Sequence, residues 1–317
     1  MNTLQITRRV GLACLFLLAP LSGSARVSKF TLPSETPAIL DKIYSFDLDG
    51  AIEAAQRMEH EQPNHPLGFL MEAEAMWWRI WCTSADFKFG MSDARRRPKL
   101  GSDRRYMELS AKALSLAEAH IKQSESAEMQ FYAGMAEASF ARLYGLRAEN
   151  RNAARSGVRA REHLLRAKVL DPDLADANLG LGLYNYYVDT LSAIARILRF
   201  FMGIPGGSKQ DGVHLLEHAI SEGVLTSNVA RFYLALNLHR YDQQYEKALN
   251  VLGPLVEKYP ANPLFQLARG DLFAKLGRKQ QALACYRAVS ALPVQNAECQ
   301  AHVRDLARAS IASLGAQ

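Results

Sequence analysis

The sequence predicts an all-α protein built as a solenoid of stacked helical hairpins, and three observations lead there. Alanine, leucine, arginine and glutamate dominate a chain of 317 residues that is 49% apolar, and β-branched runs are scarce, so helix is favoured over strand. Between Pro263 and Pro293, small and aromatic residues are spaced as two antiparallel helices require. Counting Pro263 as position 1, Gly270 stands at 8, Phe273 at 11, Gly277 at 15, Ala282 at 20, Tyr286 at 24 and Pro293 at 31. Small residues at 8 and 20 let the backbones approach, the aromatic at 24 fills the seam, and the proline ends the second helix. Finally, Ala248-Leu249, Leu252, Leu255, Pro260 and Pro263-Leu264 recur as Ala51-Ile52, Ala55, Met58, Pro63 and Pro66-Leu67, at a constant offset of 197 residues. One unit therefore serves both ends of the chain, and its apolar content is enough for a continuous core.

These residues resemble the tetratricopeptide repeat, closely in the last third of the chain and in degenerate form before it. The resemblance implies a right-handed superhelix and a module that binds other proteins. The elements follow in order. Arg8-Arg9, the apolar run Val10 to Leu21 and the small residues Ser22 to Ala25 read as a signal peptide cleaved near Ala25. An apolar run of about a dozen residues falls short of the roughly 20 that a membrane span needs. Cys14 lies too early in that run for lipid acylation, so no lipid anchor is expected. The mature chain, from residue 26 to 317, is then expected to be periplasmic or secreted. Cleavage removes Arg8 and Arg9 and no acidic residue, which lowers the formal charge of +6 by two and gives no reason to expect nucleic acid.

The first clear hairpin helix carries Trp77, Trp78 and Trp81 and is followed by an insertion, Cys82 to Asp103. A second departure lengthens the helices around Leu143 to Ser156. Asp171-Pro172 then closes one helix and opens another, with Leu181-Gly182 at positions 7 and 8 of the new unit. Gly182 and Gly207 stand 25 residues apart where positions 8 and 15 should be seven apart, so Val188 to Pro205 holds about 18 added residues. About five hairpins and a capping helix from Ala297 to Leu314 are expected.

In the family, positions 2, 5, 9, 12 and 13 of each first helix line the concave groove. Carried onto this chain, the resemblance implies Trp77 and Trp78; Tyr186 and Tyr187; Tyr233, Asn237, Arg240 and Tyr241; and Asp271 and Lys275 as partner-binding residues. Aromatics with scattered polar groups bury large area at low entropy cost, which suits a bound peptide. Packing against the adjacent repeat is the other role open to each of them. The unit starting at Val229 has Leu236 at position 8 and lacks the lysine and asparagine clamp that some members use for a peptide carboxylate.

Three further stretches bear on function. The inserted segment is apolar almost all round, with Leu191, Ile194 and Leu198 on one stripe and Phe200 and Phe201 following, so it suits an anionic membrane face, a partner surface or the interior of the superhelix. His214, Glu217 and His218 spell HxxEH, the zinc motif of one class of metallopeptidase. In repeat register, however, Gly212, Leu216 and Ala219 take the packing positions 20, 24 and 27, which leaves the histidines on the solvent side of an ordinary second helix. Pro205-Gly206-Gly207-Ser208-Lys209 lacks the spacing of a phosphate loop, and the basic run Arg95-Arg96-Arg97-Pro98-Lys99 reads as a solvated loop. Three cysteines remain after cleavage, and Cys285 and Cys299, on neighbouring helices, are the candidate disulfide pair. The sequence thus leads to an exported, non-enzymatic scaffold without cofactor or metal. Its partner is a protein or peptide, and a zinc peptidase and a peripheral membrane adaptor are the other readings.

Overall fold

A computed structural model of the chain describes residues 32–84, 99–191 and 203–315, and these form thirteen α-helices without a strand. They are α1 (Thr36–Tyr44), α2 (Leu48–Glu61), α3 (Pro66–Ser84), α4 (Gly101–Gln123), α5 (Ala127–Leu146), α6 (Asn150–Leu170), α7 (Ala177–Asp189), α8 (Lys209–Glu222), α9 (Ser227–Arg240), α10 (Tyr245–Lys258), α11 (Pro263–Lys275), α12 (Lys279–Ala291) and α13 (Ala297–Gly315). The expected leader, residues 85–98 of the first insertion and residues 192–202 of the apolar one lie outside the described residues.

Each helix packs on the next in sequence, which makes the fold a helical-repeat solenoid: α1/α2, then the hairpins α3/α4, α5/α6, α7/α8, α9/α10 and α11/α12, then α13. The helix starts carry their own signals. Ser126 and Ser208 accept hydrogen bonds from the amides of Met129 and Asp211, and Asn262 accepts from Leu264 and Phe265 just ahead of Pro263 at the first helical position. The repeat positions behave as their spacing implies. A Cβ on Gly270 would stand 2.7 Å from the Tyr286 ring, and one on Gly182 would stand 3.0 Å from the Gly212 carbonyl oxygen, so both hairpins close only because those side chains are missing. Gly277 ends α11 at φ 71°, the left-handed region that glycine enters without cost.

The run of hairpins does not stay open. The first helices of successive hairpins touch, α3 with α5, α5 with α7, α9 with α11 and α11 with α13, and α13 then returns to α3. A disulfide joins Cys82 at the end of α3 to Cys299 at the start of α13, with Cα atoms 5.2 Å apart across 217 residues. This corrects the expected Cys285–Cys299 pair. Cys285 is a free, buried thiol whose sulfur faces the Arg269 Nε at 3.4 Å, turned toward α11, whereas Cys299 turns toward α3.

Aromatic packing seals the same junction. The Trp78 ring lies 5.1 Å from Phe232 and 5.6 Å from Phe265, and Trp77 Nε1 donates to the Tyr233 hydroxyl at 3.1 Å. Beside them, Asn262 Nδ2 donates to the Tyr44 carbonyl at 2.9 Å, and Lys258 pairs with Asp41 at 3.1 Å. Helices α1–α3 therefore sit on the inner side of α9–α13. Helix α3 is apolar nearly all round and buried on most of its surface.

On the outer side of α3, Glu72 is 2% exposed and accepts both Arg105 nitrogens, Nε at 3.0 Å and Nη2 at 2.8 Å. Burial, a hydrogen bond to Glu72 and the charge of Glu72 together hold the neighbouring Glu59 carboxyl up at about 8. Glu59 is thus protonated in the folded chain at neutral pH, and its stabilising contribution is present at low pH and lost as pH rises from the unfolded value through about 8. Glu59→Gln, which keeps a donor and removes the titration, is expected to flatten thermal stability between about pH 5 and 9 and to exceed the parent at the alkaline end by about 1–2 kcal/mol, after allowance for solvent screening. Parallel melting-temperature profiles for the two proteins would contradict a protonated Glu59.

Candidate partner-binding face

The ten residues implied as a groove divide into an enclosed set and an exposed set. Trp77 and Trp78 are 4% and 1% exposed, held between α3 and α9 as described. Tyr233 is half-buried, stacks on Trp81 at 5.9 Å, and has its hydroxyl pushed up to about 12 by burial. Arg142 closes this cluster from α5. Its guanidinium lies 4.7 Å over the Trp77 ring, donates through Nε to the Tyr106 hydroxyl at 2.7 Å, and pairs with Glu74 at 2.5 Å. All of these groups have partners within the chain, so they hold α3, α4, α5 and α9 together.

Tyr186 is fully buried. Its hydroxyl donates to Asp242 at 2.8 Å, with the Asn237 carbonyl oxygen also in reach at 3.2 Å, and Lys209 pairs with the same Asp242 carboxylate. Asp271 is 8% exposed and accepts from the Tyr286 hydroxyl at 2.5 Å, again inside a hairpin.

Tyr187, Arg240, Tyr241 and Lys275 remain open to solvent to different degrees. They stand at the C-terminal ends of α7, α9 and α11, one after another along the rim of the inner helix layer. Tyr241 is 45% exposed and Tyr187 is 36% exposed, and their rings meet edge to face with centroids 6.3 Å apart. The buried ring of Tyr186 supports both, at 5.9 Å and 6.0 Å. Tyr187 shows a ring edge outward while its hydroxyl is tucked against Asn237, and burial of that end drives its pKa up. Asn237 is 2% exposed, with its side chain against the Tyr187 hydroxyl. Leu191, just past α7, is partly exposed beside this rim; Ile194, Leu198, Phe200 and Phe201 lie outside the described residues.

The HxxEH residues lie on α8, with both histidines exposed as the repeat register implies. The His218 Nδ1 meets the Asn178 amide at 3.0 Å, and Glu217 accepts from Lys247 at 3.0 Å. Among the described residues no group of three histidine, cysteine, aspartate or glutamate side chains converges to hold a metal ion, and no helix is long and apolar enough to cross a membrane. Sequence reasoning missed Arg142, Glu74 and Asp242, the polar groups around which the inner layer is organised. Nothing in their local spacing marks them, because their partners are about 33 to 68 residues away.

No protein-family model matches the sequence, and no curated protein matches it. Among solved structures, the crystal structure of yeast Tom70 is similar at 11% identity over 87% of this chain and 88% of that one, with a TM-score of 0.29. At that TM-score the likeness adds nothing to the solenoid read directly from the successive packing of the helices.

Proposed function

We propose that this chain is an exported, non-enzymatic scaffold that holds a protein or peptide partner on the rim formed by Tyr187, Arg240, Tyr241 and Lys275. The exposed Tyr187–Tyr241 pair carries this reading. In a fold that encloses its three tryptophans and six of its twelve tyrosines, two aromatic rings are kept at the surface, in contact, and braced from below by a third. Rigid, partly exposed tyrosines of this kind are the usual anchors of protein interfaces. Export is supported by the leader-like start of the sequence and by the Cys82–Cys299 bond, which persists in an oxidising compartment.

A photoreactive residue placed at position 241 is expected to crosslink a partner in cells, whereas one at the exposed outer position Lys122 is not. Replacing Tyr187 and Tyr241 together by alanine is expected to weaken retention of that partner about ten- to a hundredfold without changing the helical content. Equal crosslinking at both positions, or unchanged retention by the double variant, would rule out this face.

A further inference from the structure

We infer that the Cys82–Cys299 bond is reached by thiol–disulfide exchange: Cys285 and Cys299 pair first in the unfolded chain, and Cys82 displaces Cys285 when α13 returns to α3. Cys285 is thus a transient partner that holds Cys299 until the solenoid closes.

Cys82, Cys285 and Cys299 allow three pairings, and chain length ranks them before folding begins. Cys285 and Cys299 stand 14 residues apart, whereas Cys82 lies 217 residues from Cys299. The chance that two points of a flexible chain meet falls with the three-halves power of their separation, so the short loop is favoured about sixtyfold over the native one. The Cys82–Cys285 loop is nearly as long as the native loop and has no such advantage. An oxidant that meets the unfolded chain therefore makes the Cys285–Cys299 bond.

Folding reverses that ranking. The packing of α13 on α3 brings the Cα atoms of Cys82 and Cys299 to 5.2 Å, inside the range a disulfide needs, and encloses both residues completely. Cys285 is held elsewhere. It shares the buried face of α12 with Ala282, Tyr286 and Val289, and its sulfur accepts from Arg269 Nε at 3.4 Å. On the same face the Tyr286 ring fills the space left by Gly270, and its hydroxyl donates to Asp271 at 2.5 Å. The closed α11/α12 hairpin therefore aims Cys285 at α11. Both bonds need the same Cys299 sulfur, so closing the solenoid requires Cys285 to release it.

Two steps account for every atom and electron. Glutathione disulfide first takes two electrons from the thiols of Cys285 and Cys299, which become bonded while two glutathione thiols leave. The Cys82 thiolate then attacks the Cys299 sulfur. As the new bond forms, the bond to Cys285 breaks, and Cys285 departs as a thiolate that takes up a proton from water. The second step involves no net oxidation and consumes no added thiol.

The test uses the full chain carrying Cys14→Ser, which leaves the three thiols in question. Reduced, unfolded in urea and oxidised there with glutathione disulfide, it is expected to yield the Cys285–Cys299 isomer in large excess over the other two, as read by alkylation and peptide mass mapping. That isomer is purified in acid, freed of all small thiols, and diluted out of urea at about pH 8, where a thiolate is available. Cys82–Cys299 is expected to replace it in a first-order reaction whose rate does not depend on protein concentration, with the single free thiol moving from Cys82 to Cys285. Cys82→Ser is expected to stop the conversion. The reduced Cys285→Ser chain, oxidised outside urea, is expected to form the native bond without a detectable intermediate. Each result is read from which sulfurs are bonded, so none requires a variant to reach the native fold. An isomer that persists, or that converts only when glutathione is returned, would show that closure starts from the reduced chain and overturn the exchange. Oxidation in urea that does not favour the short loop would overturn the first step.

Discussion

Replacing Cys82 by serine is expected to cost about 3–5 kcal/mol of unfolding free energy. Loop-closure entropy sets the upper end: a bridge across 217 residues removes about 5 kcal/mol from the unfolded ensemble's advantage. Both sulfurs are fully enclosed, so the bridge also fixes how α3 lies against α13. Urea unfolding of the parent, with and without dithiothreitol, reads the effect. The reduced parent should match Cys82→Ser, while Cys285→Ser, which removes only the free thiol, should unfold like the oxidised parent. Coincident curves for the oxidised parent and Cys82→Ser would show that packing alone closes the solenoid.

The second large effect is expected at Asp176, between α6 and α7. Its carboxylate is 3% exposed and accepts the amides of Val224, Leu225 and Thr226 at 3.2, 2.9 and 2.8 Å, together with the Thr226 hydroxyl at 2.8 Å. Those amides belong to the turn that leads into α9, whose own cap residue makes no side-chain bond to it, so Asp176 does from the neighbouring hairpin what a local cap would otherwise do. Asp176→Ala leaves the buried amides of Leu225 and Thr226 unsatisfied and is expected to cost about 3–5 kcal/mol, whereas Asp176→Asn, which keeps one acceptor oxygen in place, should cost less than half of that. Hydrogen exchange at Leu225 and Thr226 locates the effect. If their protection is unchanged in the alanine variant, the carboxylate does not anchor the turn.

How much of this could be read from the sequence depends on the distance over which each feature is decided. The last hairpin was legible to the residue, because Gly270, Gly277, Ala282 and Tyr286 act within one pair of helices and each has a local steric reason for its position. The offset of 197 residues matched Ala51 to Ala248 and Leu67 to Leu264, and all four are buried in equivalent places. The hairpin of α5 and α6 was harder to see. Its helices of 20 and 21 residues outrun the repeat period, and only Pro172, just past the end of α6, marks a boundary. The closure was invisible. Whether Cys299 turns toward Cys285 or toward Cys82 depends on curvature summed over every intervening hairpin, and no local spacing records that sum. The same summation decides which aromatic positions are enclosed. Trp78 and Tyr241 take corresponding positions of their hairpins, yet one is enclosed and the other exposed.

Closure has a consequence for how this protein can change over generations. In an open stack, a unit can be duplicated or deleted, since each touches only its neighbours and a new one simply lengthens the rod. Here the two Cα atoms of the bridge must return to 5.2 Å, and the ring of Trp78 must return to Phe232 and Phe265. An added or missing hairpin would rotate and displace α13 away from α3 and break both. The copy number of the repeat is therefore locked, and this chain can vary its rim and its loops but not its count.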